Sequence, residues 1–200
     1  MNMRERLTEL AARREKLLKG GGSKAIDKQH ARGKLTARER VELFLDPGTF
    51  VELDLWAKPR MTGFEIDEKE IPGDAVIVGF GNVDGRCVYV YAQDFTTQGG
   101  SVGSVTGKKI QKVMRRALEE RVPCIGLVDS GGVRVQDAVS RDMNDAYHRM
   151  FYYHTISSGV IPQITLMMGP CAAGAGYSPA LTDFVFMVKD TSYMYVASPS

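Results

Sequence analysis

Asp129-Ser130-Gly131-Gly132-Val133-Arg134 and Gly169-Pro170-Cys171-Ala172-Ala173-Gly174-Ala175-Gly176 decide how this chain folds. Each follows an apolar run, Cys124 to Val128 and Ile164 to Met168, and each opens into a helix-compatible stretch. The pattern puts small residues and free backbone N–H groups where a strand hands over to a helix. Such a turn lets a ligand approach the main chain closely, and the helix dipole adds partial positive charge. One such loop is also explained by tight turning in an α/β domain. Two of them on adjacent layers make a cradle for a developing oxyanion.

Working outward, strands are predicted at Pro123 to Asp129 and Ile161 to Met168, with a long helix from Val135 to Ser157 between them. The clearest helix is Lys108 to Arg121, where Ile110, Val113, Met114, Ala117 and Leu118 repeat at helical spacing. Asp74 to Phe80 and Arg86 to Tyr91 read as strands joined around Asp84-Gly85, a hairpin signal. Gln93 to Gly107 is a glycine-laden connector. After the second loop come a short helix ending near Leu181 and strands at Phe184 to Val188 and Tyr193 to Ala197. Upstream, Arg4 to Lys19 reads as a helix stopped by Gly20-Gly21-Gly22. Arg14 interrupts its apolar stripe, so it is expected to pack on another element or subunit. Thr36-Ala37-Arg38-Glu39 is a capping box opening a helix to Phe44. Val51 to Trp56 alternates like a strand, and Lys58 to Gly73 is expected as a loop. A hairpin followed by strand–loop–helix units implies helices covering a largely parallel sheet.

The 200 residues, 44% hydrophobic and 25% charged, suit one soluble domain with a real core. No apolar stretch approaches the roughly 18 residues of a membrane span. The N-terminus is charged from Arg4 and has no apolar signal core, so export is not expected. Cys87, Cys124 and Cys171 lie far apart without a CxxC pair, which disfavours disulfides and a zinc ribbon and fits a reducing cytoplasm. Net charge is +2 overall, but residues 1–40 carry 12 Lys/Arg against 5 Asp/Glu. A basic arm on an acidic body suits a phosphate-bearing ligand, an acidic partner or simply a solvated helix.

Several catalytic motifs fail. Gly103 to Lys109 has Val102 and Lys109 where a phosphate loop needs glycine and Ser or Thr. Ser130 has Val128 where a hydrolase elbow needs glycine. His148 and His154 sit on a predicted helix among Tyr147, Tyr152 and Tyr153, where packing or surface roles are expected. Cys171 is expected as a small packing residue. What remains is a site whose chemistry comes from backbone donors, suited to an enolate whose negative charge builds on a thioester oxygen.

The chain resembles the carboxyltransferase (β) subunit of biotin-dependent acyl-CoA carboxylases, the propionyl-CoA carboxylase type, and the related α subunits of biotin-dependent decarboxylases. The matching stretches are Gly33 to Arg40, Gln93-Asp94-Phe95-Thr96 with Gly99-Gly100-Ser101, Asp129 to Gln136, and Gly169 to Asp183. The resemblance implies a crotonase-like ββα superhelix (ClpP/crotonase fold), here as a truncated N-terminal carboxyltransferase domain over residues 31–200, with a basic helical arm over 1–30. It implies an acyl-CoA substrate, and carboxybiotin carried on another chain as the carboxyl donor. Implied partners are the biotin carboxylase and biotin carboxyl carrier subunits and other carboxyltransferase protomers, dimers assembled into a hexamer, in the cytoplasm. No nucleic-acid partner is expected.

Mapped residue by residue, the resemblance implies that the Gly174 and Ala175 amides hold the thioester enolate, while Gly131, Gly132 and Val133 line the facing wall. Arg134 and Gln136 are expected to orient that loop. Lys34 and Arg38 are expected at CoA phosphates or a neighbouring subunit, and Ala172, Ala173 and Tyr177 at the ligand. Two departures add bulk: Ala173 stands where many relatives carry glycine, and Val133 and Asp137 replace a more usual Ala and Glu. The family's C-domain is expected outside this sequence, which would leave this chain inactive alone. A decarboxylase and a non-catalytic crotonase-like scaffold remain open. A crotonase hydratase fits less well, because neither loop brings the glutamates hydration needs.

Overall fold

The computed structural model describes residues 2–60, 63, 68–138 and 140–197. Helix α1 (Met3–Leu18) starts at a reciprocal capping box between Asn2 and Glu5 and buries none of its residues. The glycines end it as expected, but a second helix follows that periodicity does not reveal, α2 (Ser23–His30), whose single buried residue is Gln29. One buried position makes no stripe. In α3 (Ala37–Phe44) the capping box forms as read: the Thr36 amide donates to Glu39 Oε2 at 2.7 Å and the Glu39 amide to Thr36 Oγ1 at 3.3 Å. Strand β1 (Val51–Leu53) is shorter than expected because Asp54, at φ 55°, leaves the extended region. Part of the loop expected from Lys58 to Gly73 lies outside the described residues.

Strands β2 (Val76–Val83) and β3 (Arg86–Gln93) form the hairpin, with Asp84 and Gly85 both left-handed at φ 50° and 75°. Two positive φ values are what a two-residue turn matching strand twist requires. Helix α4 (Ser104–Glu120) begins earlier than predicted, since the Thr106 hydroxyl accepts from the Gly103 amide at 3.1 Å. Strand β4 (Cys124–Ser130) is buried along its whole length. The helix expected from Val135 to Ser157 comes in two pieces, α5 (Val135–Ala138) and α6 (Arg141–Ser157). Ser140 restarts it by accepting from the Met143 amide at 3.1 Å. Then follow β5 (Gln163–Ala172), α7 (Gly174–Ala180), β6 (Phe184–Met187) and β7 (Tyr193–Tyr195).

The seven strands among the described residues make one sheet in the order β1-β2-β3-β4-β5-β6, antiparallel up to β3 and parallel beyond, with β7 also on β5. β5 forks the sheet: Ile164 to Met167 pair with β6 and Pro170 to Ala172 with β7. It also carries an irregularity opposite β4, where Val128 pairs with Met167 but Ser130 pairs with Cys171. Side-chain alternation splits the core in two. Val76, Val78, Tyr91 and Met167 meet α4 and α6 on one face, whereas Ile77, Val90 and Leu127 meet Val41 of α3 on the other. α4 and α6 cross closely, because a Cβ on Gly107 would lie 2.5 Å from Ala146 Cβ. Phe184, Phe186, Met187, Tyr193 and Met194 on β6 and β7 are exposed. No helix among the described residues is long and apolar enough to cross a membrane.

Candidate functional site

The two glycine loops meet at the carboxyl ends of neighbouring parallel strands, β4 and β5, the usual location of ligands in open α/β sheets. A Cβ on Gly132 (φ 102°) would lie 3.2 Å from the Ala172 carbonyl oxygen, so the first loop leans directly on the second. Strand β5 runs through Gly169-Pro170-Cys171-Ala172, residues that sequence reading placed in the loop. Their glycine and proline read as breakers, yet they occupy the irregular stretch of β5, the kind of position that tolerates proline in a sheet.

The first loop is stitched to the preceding connector. The Gly131 amide donates to Gly99 O at 2.8 Å and the Gly132 amide to Ser130 Oγ at 3.1 Å. Ser130 Oγ donates to Gly100 O at 2.8 Å. Both glycine amides are therefore spent inside the fold and offer no donor. The Val133 amide has no acceptor among the described residues. Arg134, buried, pairs with Asp74 and Asp137 and donates to Ser101 O at 3.1 Å.

In the second loop Ala173 takes φ 51° and ψ −133°, a conformation that favours glycine. Its amide donates to Tyr195 O at 3.2 Å, and its carbonyl accepts from Gly176 and Tyr177 at 2.7 and 3.2 Å. The amides between them, on Gly174 and Ala175, have no acceptor among the described residues. The turn is enclosed: a Cβ on Gly174 would meet the Tyr147 ring at 2.6 Å, and one on Gly176 would meet Tyr195 O at 2.9 Å. Tyr177 is exposed and its hydroxyl donates to Val196 O at 2.8 Å. Cys171 is fully buried and burial pushes its thiol up to about 12, so it acts as packing.

Lys34 and Arg38 are both paired within the fold. The buried Lys34 ammonium lies 2.8 Å from the Asp129 carboxylate and 4.8 Å from the centre of the Phe95 ring. Burial lowers its pKa, against the opposing effect of Asp129. Arg38 forms a bidentate pair with Glu52 at 2.9 and 3.1 Å and donates to Leu18 O at 3.3 Å. Sequence reading missed why they matter. Asp129, fully buried at the head of the first loop, also takes Arg40 at 2.9 Å and the Gln29 amide at 3.2 Å. A Cβ on Gly169 would lie 2.0 Å from Asp129 Oδ1. One carboxylate thus ties residues before Arg40 to both glycine loops. The only signal in the sequence is that Lys34, Arg40 and Asp129 all lie in motif stretches.

Among the described residues, a sheet covered by helices on both faces thus presents amides without an acceptor at a strand-to-helix turn, an arrangement able to polarise an oxygen through the backbone. The chain belongs to the carboxyl transferase domain family, whose sequence profile matches residues 28–200. It is 49% identical over 198 residues to methylmalonyl-CoA decarboxylase subunit alpha of Veillonella parvula, which covers 99% of this chain and 38% of that protein. It is 52% identical over 199 residues to the propionyl-CoA carboxylase carboxyltransferase subunit of Haloferax mediterranei, covering 100% and 38%. Among solved structures, transcarboxylase 12S, a hexamer with methylmalonyl-coenzyme A bound, superposes with a TM-score of 0.95 at 42% identity. The match covers 100% of this chain and 38% of that one. The fold is thus the crotonase-like carboxyltransferase fold, and the chain spans about two fifths of the length of these relatives.

Proposed function

We propose that this chain holds the acyl-CoA half of a biotin-dependent carboxyltransferase site. The single observation that carries the reading is the pair of amides on Gly174 and Ala175, without an acceptor among the described residues, at the turn where the two glycine loops meet. The thioester carbonyl oxygen accepts from both. As the α-carbon gives up its proton, charge moves onto that oxygen, and each donor counts for about 10²–10³ in rate. The enolate carbon then bonds to CO₂, and the electron pair on oxygen returns to the carbonyl. Gly131, Gly132 and Val133 form the opposite wall, and Ala172, Ala173 and Tyr177 border the acyl group and its pantetheine.

Carboxybiotin borne by another chain supplies the CO₂ and a nitrogen to receive the proton. The amide pair suits the thioester oxygen, and the described residues give no assignment for the biotin ring. Lys34 and Arg38, already paired with Asp129 and Glu52, leave the CoA phosphates to other cations. The propionyl and methylmalonyl names of the relatives favour a short acyl chain. Decarboxylation uses the same amides in reverse and remains the second reading, since a decarboxylase subunit is as similar as a carboxylase. Assembly with like protomers, with biotin carboxylase and with a biotin carrier, in the cytoplasm, belongs to the same proposal.

Calorimetric titration tests it with propionyl-CoA and its S-propyl thioether, which lacks the carbonyl oxygen. The thioester is expected to bind about tenfold more tightly, the worth of one net hydrogen bond to a polarised oxygen. Equal affinities would exclude the amide pair as its seat.

A further inference from the structure

Under the second loop lies a hydrogen-bonded chain that the carboxyl-transfer reading does not use. His154 on α6, Gln163 at the start of β5 and Ser178 on α7 are all buried. His154 Nδ1 is 2.8 Å from Gln163 Oε1, and its Nε2 contacts Ser178 Oγ. Gln163 Nε2 donates to the His154 carbonyl at 3.0 Å, which fixes the amide's orientation and leaves Oε1 only able to accept. Nδ1 therefore carries the proton. Burial lowers the His154 pKa, so the ring is neutral, Nε2 is an acceptor and Ser178 must donate to it.

A serine on a histidine resembles a nucleophile and its base, but Ser178 is closed off from solvent and sits behind the turn. Its place in the helix suggests another task. α7 has seven residues with Pro179 inside it, too short to hold itself in place. Ser178 lies three and four residues beyond Ala175 and Gly174, the spacing that stacks side chains on one helix face. On that face the first turn rests on Tyr147, whose buried hydroxyl has no hydrogen-bond partner among the described residues. The Ala173 amide fixes the entry to the helix on Tyr195 O, but on the Tyr147 face the first turn meets only a ring edge, and the side-chain bond on that face is the pin one turn later.

We propose that His154 and Ser178 are positioning residues of the thioester site: the Gln163–His154–Ser178 chain sets the rotation of α7 so that the Gly174 and Ala175 amides converge on one oxygen. The proposal rests on the thioester reading above. Removing the pin lets α7 turn by a few degrees, which spoils the aim of the amides while the surrounding wall still binds pantetheine.

The test uses the full chain with Ser178→Ala, titrated with propionyl-CoA and S-propyl-CoA. In parallel, the infrared stretch of a ¹³C-labelled thioester carbonyl is recorded on the protein. The thioether should keep its affinity within about twofold, the thioester advantage should fall about tenfold, and the carbonyl stretch should return toward its solution frequency. An unchanged advantage and stretch, or an equal loss for both ligands, overturns the positioning role. Absence of any thioester advantage in the unsubstituted chain overturns the thioester reading and this proposal together. If Ser178→Ala does not fold, the paired variant His154→Leu/Ser178→Ala leaves neither group facing a lost partner and supports the same comparison.

Discussion

Gly174 and Tyr147 touch so closely that a methyl group on the Gly174 Cα would sit 2.6 Å from Cε1 of the tyrosine ring. The second glycine loop is thus bound to α6 by the absence of a side chain. Any side chain at Gly174 must displace a ring that is itself packed in the core. Gly174→Val would therefore disturb the packing of α6 as well as the loop.

Gly174→Ala is expected to cost about 1–3 kcal/mol, the range for overpacking a filled interior. Tyr147→Leu in the same chain should return part of that loss by making room. A double-mutant cycle read by urea unfolding should give a coupling of about 1 kcal/mol or more. Additive effects would show that the ring and the turn are independent.

Ala173 sits at φ 51° and ψ −133°. Relief of that backbone strain, of order 1–3 kcal/mol, outweighs the extra chain entropy glycine brings to the unfolded state, about 0.4–1 kcal/mol. Ala173→Gly should raise the urea midpoint with an unchanged slope. A lower midpoint would mean the strain is not there.

Lys34 and Arg38 should separate cleanly. Lys34→Met leaves Asp129 buried with one cation fewer and is expected to destabilise by about 3–5 kcal/mol. Arg38→Met removes a partly exposed pair with Glu52 and should cost less. Neither should change acyl-CoA affinity per folded molecule. A specific loss of affinity with undiminished thermal stability would return these residues to the ligand.

His154 gives the stability a defined pH dependence. Its pKa is lowered in the fold from the ordinary 6.5, first by burial. The unfolded chain therefore binds the proton more readily, and stability falls as pH drops through about 6.5. The window lies above that of the carboxylates; Glu39, for example, is held below its usual 4.5 chiefly by its hydrogen bond to His30. The difference in unfolding free energy between this chain and His154→Leu, measured from pH 7.5 to 5, should shrink toward acid. A constant difference contradicts a buried neutral ring.

Much of this was legible before any coordinates. The periodic Ile110, Val113, Met114 and Ala117 announce α4, Thr36 and Glu39 announce the start of α3, and Asp84-Gly85 announces the hairpin. These are local signals, written within a turn or two of chain. α2 escaped because it buries only Gln29. The full extent of β5 escaped because Gly169-Pro170 punctuates most sequences but here sits at an irregularity in the sheet. His148 and His154 look alike in sequence, yet one is exposed and the other is enclosed by Gln163 and Ser178.

By itself the sequence determined the order of the strands and most of the helices and the place of the two glycine turns, because hydrophobic period and glycine placement act over a few residues. Only the tertiary structure decided which groups at those turns are free. The Gly131 amide is taken by Gly99, the Lys34 ammonium by Asp129 and the Ala173 amide by Tyr195. The Gly174 and Ala175 amides are left without an acceptor among the described residues. A hydrogen bond or a buried charge is settled by whatever lies within about 3 Å, and those neighbours are brought there by packing from distant stretches of the chain.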